Sequence, residues 1–197
     1  RGEAVGVVGR NGSGKSTLLQ MLCRTLEPIT GEVEQRGRVA GLLELGAGFN
    51  PDYTGRENAE LNCAVLGLKE AEIQTRLPDI AAFADIGDYF DRPVREYSSG
   101  MFARLAFSVA IHVDAEVLVV DEVLAVGDNA FQRKCMARMR AFRESGGALV
   151  FVSHSSLAVL SVCERSIWLD HGLVRAEGPS EQVDEAYQLA MAGLGDA

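Results

Sequence analysis

Apolar positions along this chain alternate between two periods. Ala4-Val5-Gly6-Val7-Val8 is a continuous apolar run of strand length, and Leu18, Leu19, Leu22 and Leu26 then recur at helical spacing. The pattern predicts a buried strand that turns into a helix running to about Thr25. Short strands are expected around Glu32–Glu34 and Arg38–Leu43. Helices are expected over 55–66, 69–83 and 99–112, with Pro78 a point of break or kink in the second. Thr54 and Glu57 have the spacing of a capping box at the start of the first. A strand over 116–121 follows, then a helix over 129–144, a strand over 148–152 and a helix over 155–162. A hairpin around Asp170-His171-Gly172 and a last helix over 180–191 complete the series.

Strands alternating with helices predict an α/β fold, a mainly parallel sheet covered by helices on both faces. The block from about 50 to 113 is almost free of strand patterns and is expected to be an inserted helical subdomain. The boundaries expected are one domain over 1–197, with a core of 1–49 and 114–178, a helical subdomain of 50–113 and a C-terminal helix of 179–197. The chain opens at a turn, Arg1-Gly2-Glu3, that feeds straight into a buried strand. A domain cut short at its N-terminus is expected to open in this way.

The 197 residues suffice for one sizeable core. Lys and Arg number 19 against 28 Asp and Glu, a formal net charge of −9, which argues against a broad basic nucleic-acid footprint. Cys23, Cys63, Cys135 and Cys163 are scattered, with neither a C-x-x-C pair nor a histidine at ligand spacing. They read as free thiols of a reducing compartment and not as a structural metal site. No run approaches the roughly 18 apolar residues of a membrane-spanning helix, so action at a membrane would require docking on another chain that spans it.

Between the first strand and the first helix stands Gly9-Arg10-Asn11-Gly12-Ser13-Gly14-Lys15-Ser16-Thr17, which fits the phosphate-loop pattern G-x-x-x-x-G-K-[ST] in its proper context. A sharp strand-to-helix turn leaves backbone N–H groups pointing inward at a positive helix end. Lys15 is expected to meet the outer phosphates and Ser16 to hold Mg2+. The strand Val117-Leu118-Val119-Val120 ends in Asp121 and Glu122. Paired with a phosphate loop, Asp121 is expected to orient the magnesium and Glu122 to polarise an attacking water. Ser98, Ser99 and Gly100 open a helix carrying Leu105, Ala106, Val109 and Val113, a second anion site of the same physical kind. Two molecules facing each other would supply one site each.

In this order the motifs resemble those of the nucleotide-binding cassettes of ABC transporters. The resemblance identifies Gly9–Ser16 with the Walker A motif and Val117–Glu122 with Walker B and its catalytic glutamate. Tyr97–Met101 stands at the signature motif, with Arg104 at that motif's downstream arginine. Ala125–Asp128 stands at the D-loop and His154 at the switch histidine. Glu44 ends its strand where the family has the Q-loop glutamine; a carboxylate there repels the γ-phosphate unless magnesium or water intervenes, which would make Glu44 a metal ligand. The segments 42–51, 54–58, 97–101 and 121–128 are together similar to cassettes of bacterial polysaccharide exporters of the O-antigen, teichoic acid and capsule branch. The resemblance implies a P-loop NTPase fold, ATP and Mg2+ as ligands, and hydrolysis with Glu122, His154 and Lys15 as catalytic residues. It also implies a homodimer of cassettes, an integral membrane permease as partner and a peripheral place on the cytoplasmic face of the bacterial inner membrane. A β-layer with an adenine-stacking aromatic is implied ahead of Arg1. Soluble ABC-type ATPases acting on nucleic acid or ribosomes, which carry long coiled coils or twin cassettes, and regulatory modules that hold nucleotide without turnover are the alternatives weighed. Only 84 positions separate Lys15 from Ser99, all of them needed for a compact helical block.

Among the remaining candidates, His112 reads as a packing or surface residue, His171 as a solvent-facing turn residue and Trp168 as hairpin packing. The basic stretch Gln132–Glu144 reads as a solvated helix face.

Overall fold

A computed structural model describes residues 2–42, 46–121, 128–153 and 155–193. These fall into two compact units, the first containing 2–42, 116–121 and 139–193, the second 46–115 and 128–138.

The first unit is built on a six-stranded sheet. Its strands are β1 (Ala4–Val8), β2 (Val39–Leu42), β3 (Val117–Val120), β4 (Ala148–Val152), β5 (Arg165–Asp170) and β6 (Leu173–Pro179), in the spatial order β2-β3-β4-β1-β5-β6. Every pairing is parallel except the β5–β6 hairpin. The interior strands β1, β3 and β4 are near-continuous apolar runs, as expected of strands covered on both faces. Helix α1 (Lys15–Leu22) packs Leu19, wholly buried, against Val7, Val119, Val152 and Leu169. The short α6 (Ser156–Val162) and the C-terminal α7 (Ser180–Gly193) complete this unit. Trp168 meets Tyr187 of α7 edge-on, with ring centroids 5.7 Å apart, and the His171 side chain is 86% exposed at the hairpin turn.

The second unit is helical: α2 (Gly55–Val65), α3 (Glu70–Ala84), α4 (Ser99–Ile111) and the first part of α5 (Asn129–Glu144). Ala59, Cys63, Ile73, Leu77, Ile80, Leu105 and Val109 form its core. His112 is buried there. Its Nδ1 lies 2.7 Å from the Ser108 carbonyl and its ring meets Phe83 edge-on.

Two expectations fail, and the break allowed for at Pro78 does not occur. The phosphate-loop helix ends at Leu22 and not near Thr25. Arg24 turns left-handed (φ 57°) and Leu26 is 42% exposed, so continuing the helix would bury nothing. Residues 32–36 alternate in exposure as a strand does but form no ladder among the described residues. An extended segment without a pairing partner is not a strand. Helix α3 runs through Pro78 unbroken; Ile73, Leu77, Ile80 and Ala84, all buried on one face, outweigh the single lost hydrogen bond.

Candidate functional site

The loop from Gly9 to Gly14 leaves the carboxyl end of β1 and enters α1, whose N-cap Gly14 is left-handed (φ 102°). Gly9, at φ 152°, has no room for a side chain: a Cβ there would lie 2.2 Å from the Leu169 carbonyl oxygen and 2.7 Å from Ser13 Oγ. The turn is closed by the Ser13 N–H on the Arg10 carbonyl at 3.1 Å, while the Ser13 carbonyl accepts from the Gly172 N–H at 2.9 Å. The Lys15 ammonium, almost wholly buried, donates to the carbonyls of Gly9 at 2.7 Å and Arg10 at 2.8 Å. The charge is thus held inside the loop's curve. The N–H groups of Asn11, Gly12 and Gly14 have no acceptor among the described residues, and helix geometry leaves Ser16 and Thr17 without intrahelical acceptors. Ser13 Oγ is the buried side-chain polar atom without a partner among the described residues. A ring of unspent donors around a buried ammonium fits a phosphate chain and little else.

Register places Asp121 on the same sheet edge. It follows Val120, whose partner Phe151 on β4 is also the partner of Gly6 on β1. Asp121 therefore leaves the sheet at the height of Val7, two strand spacings, about 10 Å, from β1. The carboxyl ends of parallel strands are where open α/β sheets bind ligands. Ser16, exposed in the first turn of α1, and Asp121, half-buried, supply the hydroxyl and carboxylate oxygens that suit magnesium.

The Ser98 to Gly100 segment belongs to the second unit. Ser98 caps α4, its Oγ accepting from the Met101 N–H at 3.2 Å. Tyr97 anchors the approach by donating its hydroxyl to the Tyr89 carbonyl at 2.6 Å; burial pushes this phenol up to about 12. In front of the helix end lies a cavity of about 630 Å³ lined by Asp85, Ile86, Tyr89, Ser98–Met101, Arg104 and Asp128. Glu44, Glu122, His154 and Ala125–Gly127 lie outside the described residues.

The motif positions single out Arg104 and Asp128, but the contacts by which Arg104 and Lys134 brace this region are not legible in the sequence. Arg104 donates to the Asp85 carbonyl at 3.1 Å, to the Ala84 carbonyl at 3.4 Å and to Asp128 Oδ2 at 2.9 Å. Lys134 donates to the carbonyls of Ala82 at 3.1 Å and Phe83 at 2.8 Å and stands over the Phe83 ring. Two cations thus cover the carbonyl end of α3. Arg143 similarly donates to the Val162 carbonyl and pairs with Glu164, so the basic stretch is more than a solvated face. The sequence signal was basic residues three to four apart on the helix, but only the structure supplies their acceptors. Asn58 is a further case. Wholly buried, it accepts from the Asn50 N–H and donates to the carbonyls of Asn50, Tyr53 and Thr54, pinning the loop ahead of α2. The Thr54–Glu57 capping box beside it forms as expected.

The family model described as "ABC transporter" matches residues 1–125. The ABC transporter protein AbcA of Aeromonas salmonicida is 50% identical over 196 residues, which cover 100% of this chain and 64% of AbcA. The O-antigen export system ATP-binding protein RfbB of Klebsiella pneumoniae is 47% identical over 98% of this chain and 78% of its own length. The teichoic acids export ATP-binding protein TagH of Enterococcus faecalis is 42% identical over 95% of this chain and 42% of TagH. The chain thus spans less than two thirds of the first and third of these relatives. Among solved structures, the ATP binding subunit of an ABC transporter superposes with a TM-score of 0.85 at 23% identity, over 96% of this chain and 83% of that one. A dimeric ATP-binding cassette in a post-hydrolysis state with ADP and Pi gives 0.76 at 22% identity, over 91% of this chain and 86% of that one. At that identity the likeness speaks for the fold, that of a P-loop NTPase.

Proposed function

The chain belongs to the ABC transporter family, and from that premise we propose that it is the ATP-binding and ATP-hydrolysing motor of an exporter of cell-surface polysaccharide, such as lipopolysaccharide O-antigen or teichoic acid. One observation carries the ATPase reading: the loop of unspent N–H donors curled round buried Lys15, with Asp121 on the same sheet edge. The export systems of the RfbB and TagH relatives support the polysaccharide class.

In this reading Gly9 to Thr17 hold the phosphates of ATP through backbone N–H groups, with Lys15 meeting the outer ones. Ser16 and Asp121 hold Mg2+, and Glu44 joins them if the metal lies within its reach. Bound magnesium neutralises phosphate charge. Glu122 draws a proton from the attacking water, and His154 is the switch residue beside it. Ser98, Ser99 and Gly100 of a second copy close over the nucleotide, so that two helix N-termini face one phosphate chain and water is excluded. A membrane-spanning permease is the partner, docking near Glu44–Asp52, next to Asn50 and Tyr53, whose carbonyls accept from Asn58. The place of the protein is then peripheral, on the cytoplasmic face of the bacterial inner membrane; no helix among the described residues is long and apolar enough to cross a membrane. The formal charge of −9 speaks against a nucleic-acid substrate.

The test is Glu122→Gln in the full-length protein. The amide keeps the shape but not the basicity, so this variant should bind ATP, cease turnover and form an ATP-dependent dimer on size exclusion. Retained turnover, or the absence of a dimer at saturating ATP, overturns the assignment.

A further inference from the structure

Asp128 uses its two carboxylate oxygens for two different tasks. Oδ1 accepts from the N–H groups of Ala130 and Phe131, both at 2.9 Å, and so caps α5. Oδ2 takes Arg104, on α4, at 2.9 Å. The Arg104 side chain is only 18% exposed. Its guanidinium lies 4.9 Å from the Phe131 ring centroid and spans from the carboxylate to the last carbonyls of α3. A planar fork with fixed donor directions can hold three segments in one arrangement, whereas a flexible ammonium cannot.

The position of this bridge matters more than its strength. Arg104 lies on the same rigid helix as Ser98–Gly100, less than two turns away. Asp128 lies six positions after Glu122 in the chain. The cavity before α4 is lined by both partners of the bridge and by Asp85 at the end of α3. The Phe131 N–H, and after it the Arg104 charge and the Ala130 N–H, hold the Asp128 carboxyl below its usual range despite some desolvation, so it is ionised at neutral pH. The Asp128 side chain is 62% exposed, and exposed ion pairs add little to folding stability.

We infer that Arg104 and Asp128 are a positioning pair, which fixes the Ser98–Gly100 end of α4 against the end of α3 and the start of α5 in the same copy. This rests on the ATPase reading above. The pair acts through the helix, by setting where Ser98–Gly100 stand relative to the start of α5.

The two oxygens allow the tasks to be separated. Asp128→Asn keeps an oxygen for the α5 cap and turns an amide donor, not an anion, toward Arg104. In the full-length protein with its membrane subunit, this variant should melt within about 2 °C of the wild type and keep its KM for ATP within about twofold. Its kcat should fall about tenfold, the worth of one charge-assisted hydrogen bond. Arg104→Gln should do the same, and the double variant should be no slower than either single one. Arg104→Lys, which restores the charge without the fork, should recover part of the loss. Wild-type kcat in Asp128→Asn, or losses that multiply in the double variant, overturns the pair. A large fall in melting temperature with proportional loss of KM and kcat would assign the bridge to folding and also overturn it. Absence of turnover in the wild type would refute the ATPase reading itself, which keeps the two failures apart.

Discussion

Replacing Gly9 with alanine tests whether the loop's shape is set by steric necessity. Two costs act there. The backbone at φ 152° is one that side chains rarely adopt, worth about 1–3 kcal/mol. The new Cβ would also stand 2.2 Å from the Leu169 carbonyl oxygen, more than an ångström inside ordinary contact. That oxygen belongs to β5, which is hydrogen-bonded on both sides and cannot yield cheaply. Overpacking of this kind costs about 1–3 kcal/mol, so the total is about 2–6 kcal/mol. Gly12 provides the control: its φ of 78° is also left-handed, but a Cβ there meets nothing within 4 Å. Gly12→Ala should then cost only the backbone term, about 1–2 kcal/mol. At about 2–4 °C per kcal/mol for a chain of this size, Gly12→Ala should melt a few degrees below the wild type. Gly9→Ala should melt about 4–24 °C below it, and further below than Gly12→Ala. ATP affinity, read by titration with a fluorescent analogue, should fall at least about tenfold in Gly9→Ala, because the loop can relieve the clash only by moving its donors. Equal melting temperatures for the two variants would refute the steric argument. Unchanged ATP affinity in Gly9→Ala would refute the link from loop shape to phosphate binding.

Two further outcomes follow from side chains outside the loop. Lys134→Met keeps the aliphatic stem and removes the cation over the carbonyl end of α3; solvent exposure limits the loss to about 1 kcal/mol, seen as a melting temperature lower by about 2–4 °C, and no shift would mean that water serves those carbonyls equally well. Burial, first of all, lowers the pKa of His112, with Arg138 and Arg76 acting in the same direction against Asp79 and the Ser108 carbonyl. The unfolded chain then binds the proton more tightly, so the stability contribution is full above about pH 6.5 and is lost as pH falls through the lowered folded value. Denaturant titrations between pH 7.5 and 5 should show a shallower acid slope for His112→Phe than for the wild type, and parallel slopes would contradict this.

Legibility differed by kind of interaction. The strands Val117–Val120 and Ala148–Val152 and the helix Asn129–Glu144 were readable because buried apolar runs and helical spacing are local signals. The phosphate loop was readable because its chemistry is carried by consecutive backbone groups, so spacing alone specifies the geometry. Residues 32–36 misled because alternation describes a strand's faces but not its partner. Leu26 misled because helical spacing does not say where burial stops. Arg104 was noticed only for its position in a motif. Its acceptors lie 19, 20 and 24 residues away, and no periodicity encodes contacts of that range. Lys134 reaches 51 and 52 residues back and was invisible for the same reason.

The charges around the second anion site limit what it can do alone. Its cavity is lined by the N-terminus of α4, which is worth about half a positive charge, and by Arg104; but Asp85 and Asp128 line it too. Arg104 is already committed to Asp128 and to the carbonyls of α3, so the field facing an incoming phosphate is close to neutral or negative. The Gly9–Thr17 loop is the opposite case, with a buried ammonium and several donors without acceptors among the described residues. On the proposed function, the first is therefore the site that captures ATP, and the second adds to binding only after the facing copy's lysine and magnesium have neutralised the phosphates. Saturation binding to the Glu122→Gln variant should accordingly give one nucleotide per chain in monomer and dimer alike. Two per chain would mean that the end of α4 binds ATP unaided, and the order of assembly argued here would be wrong.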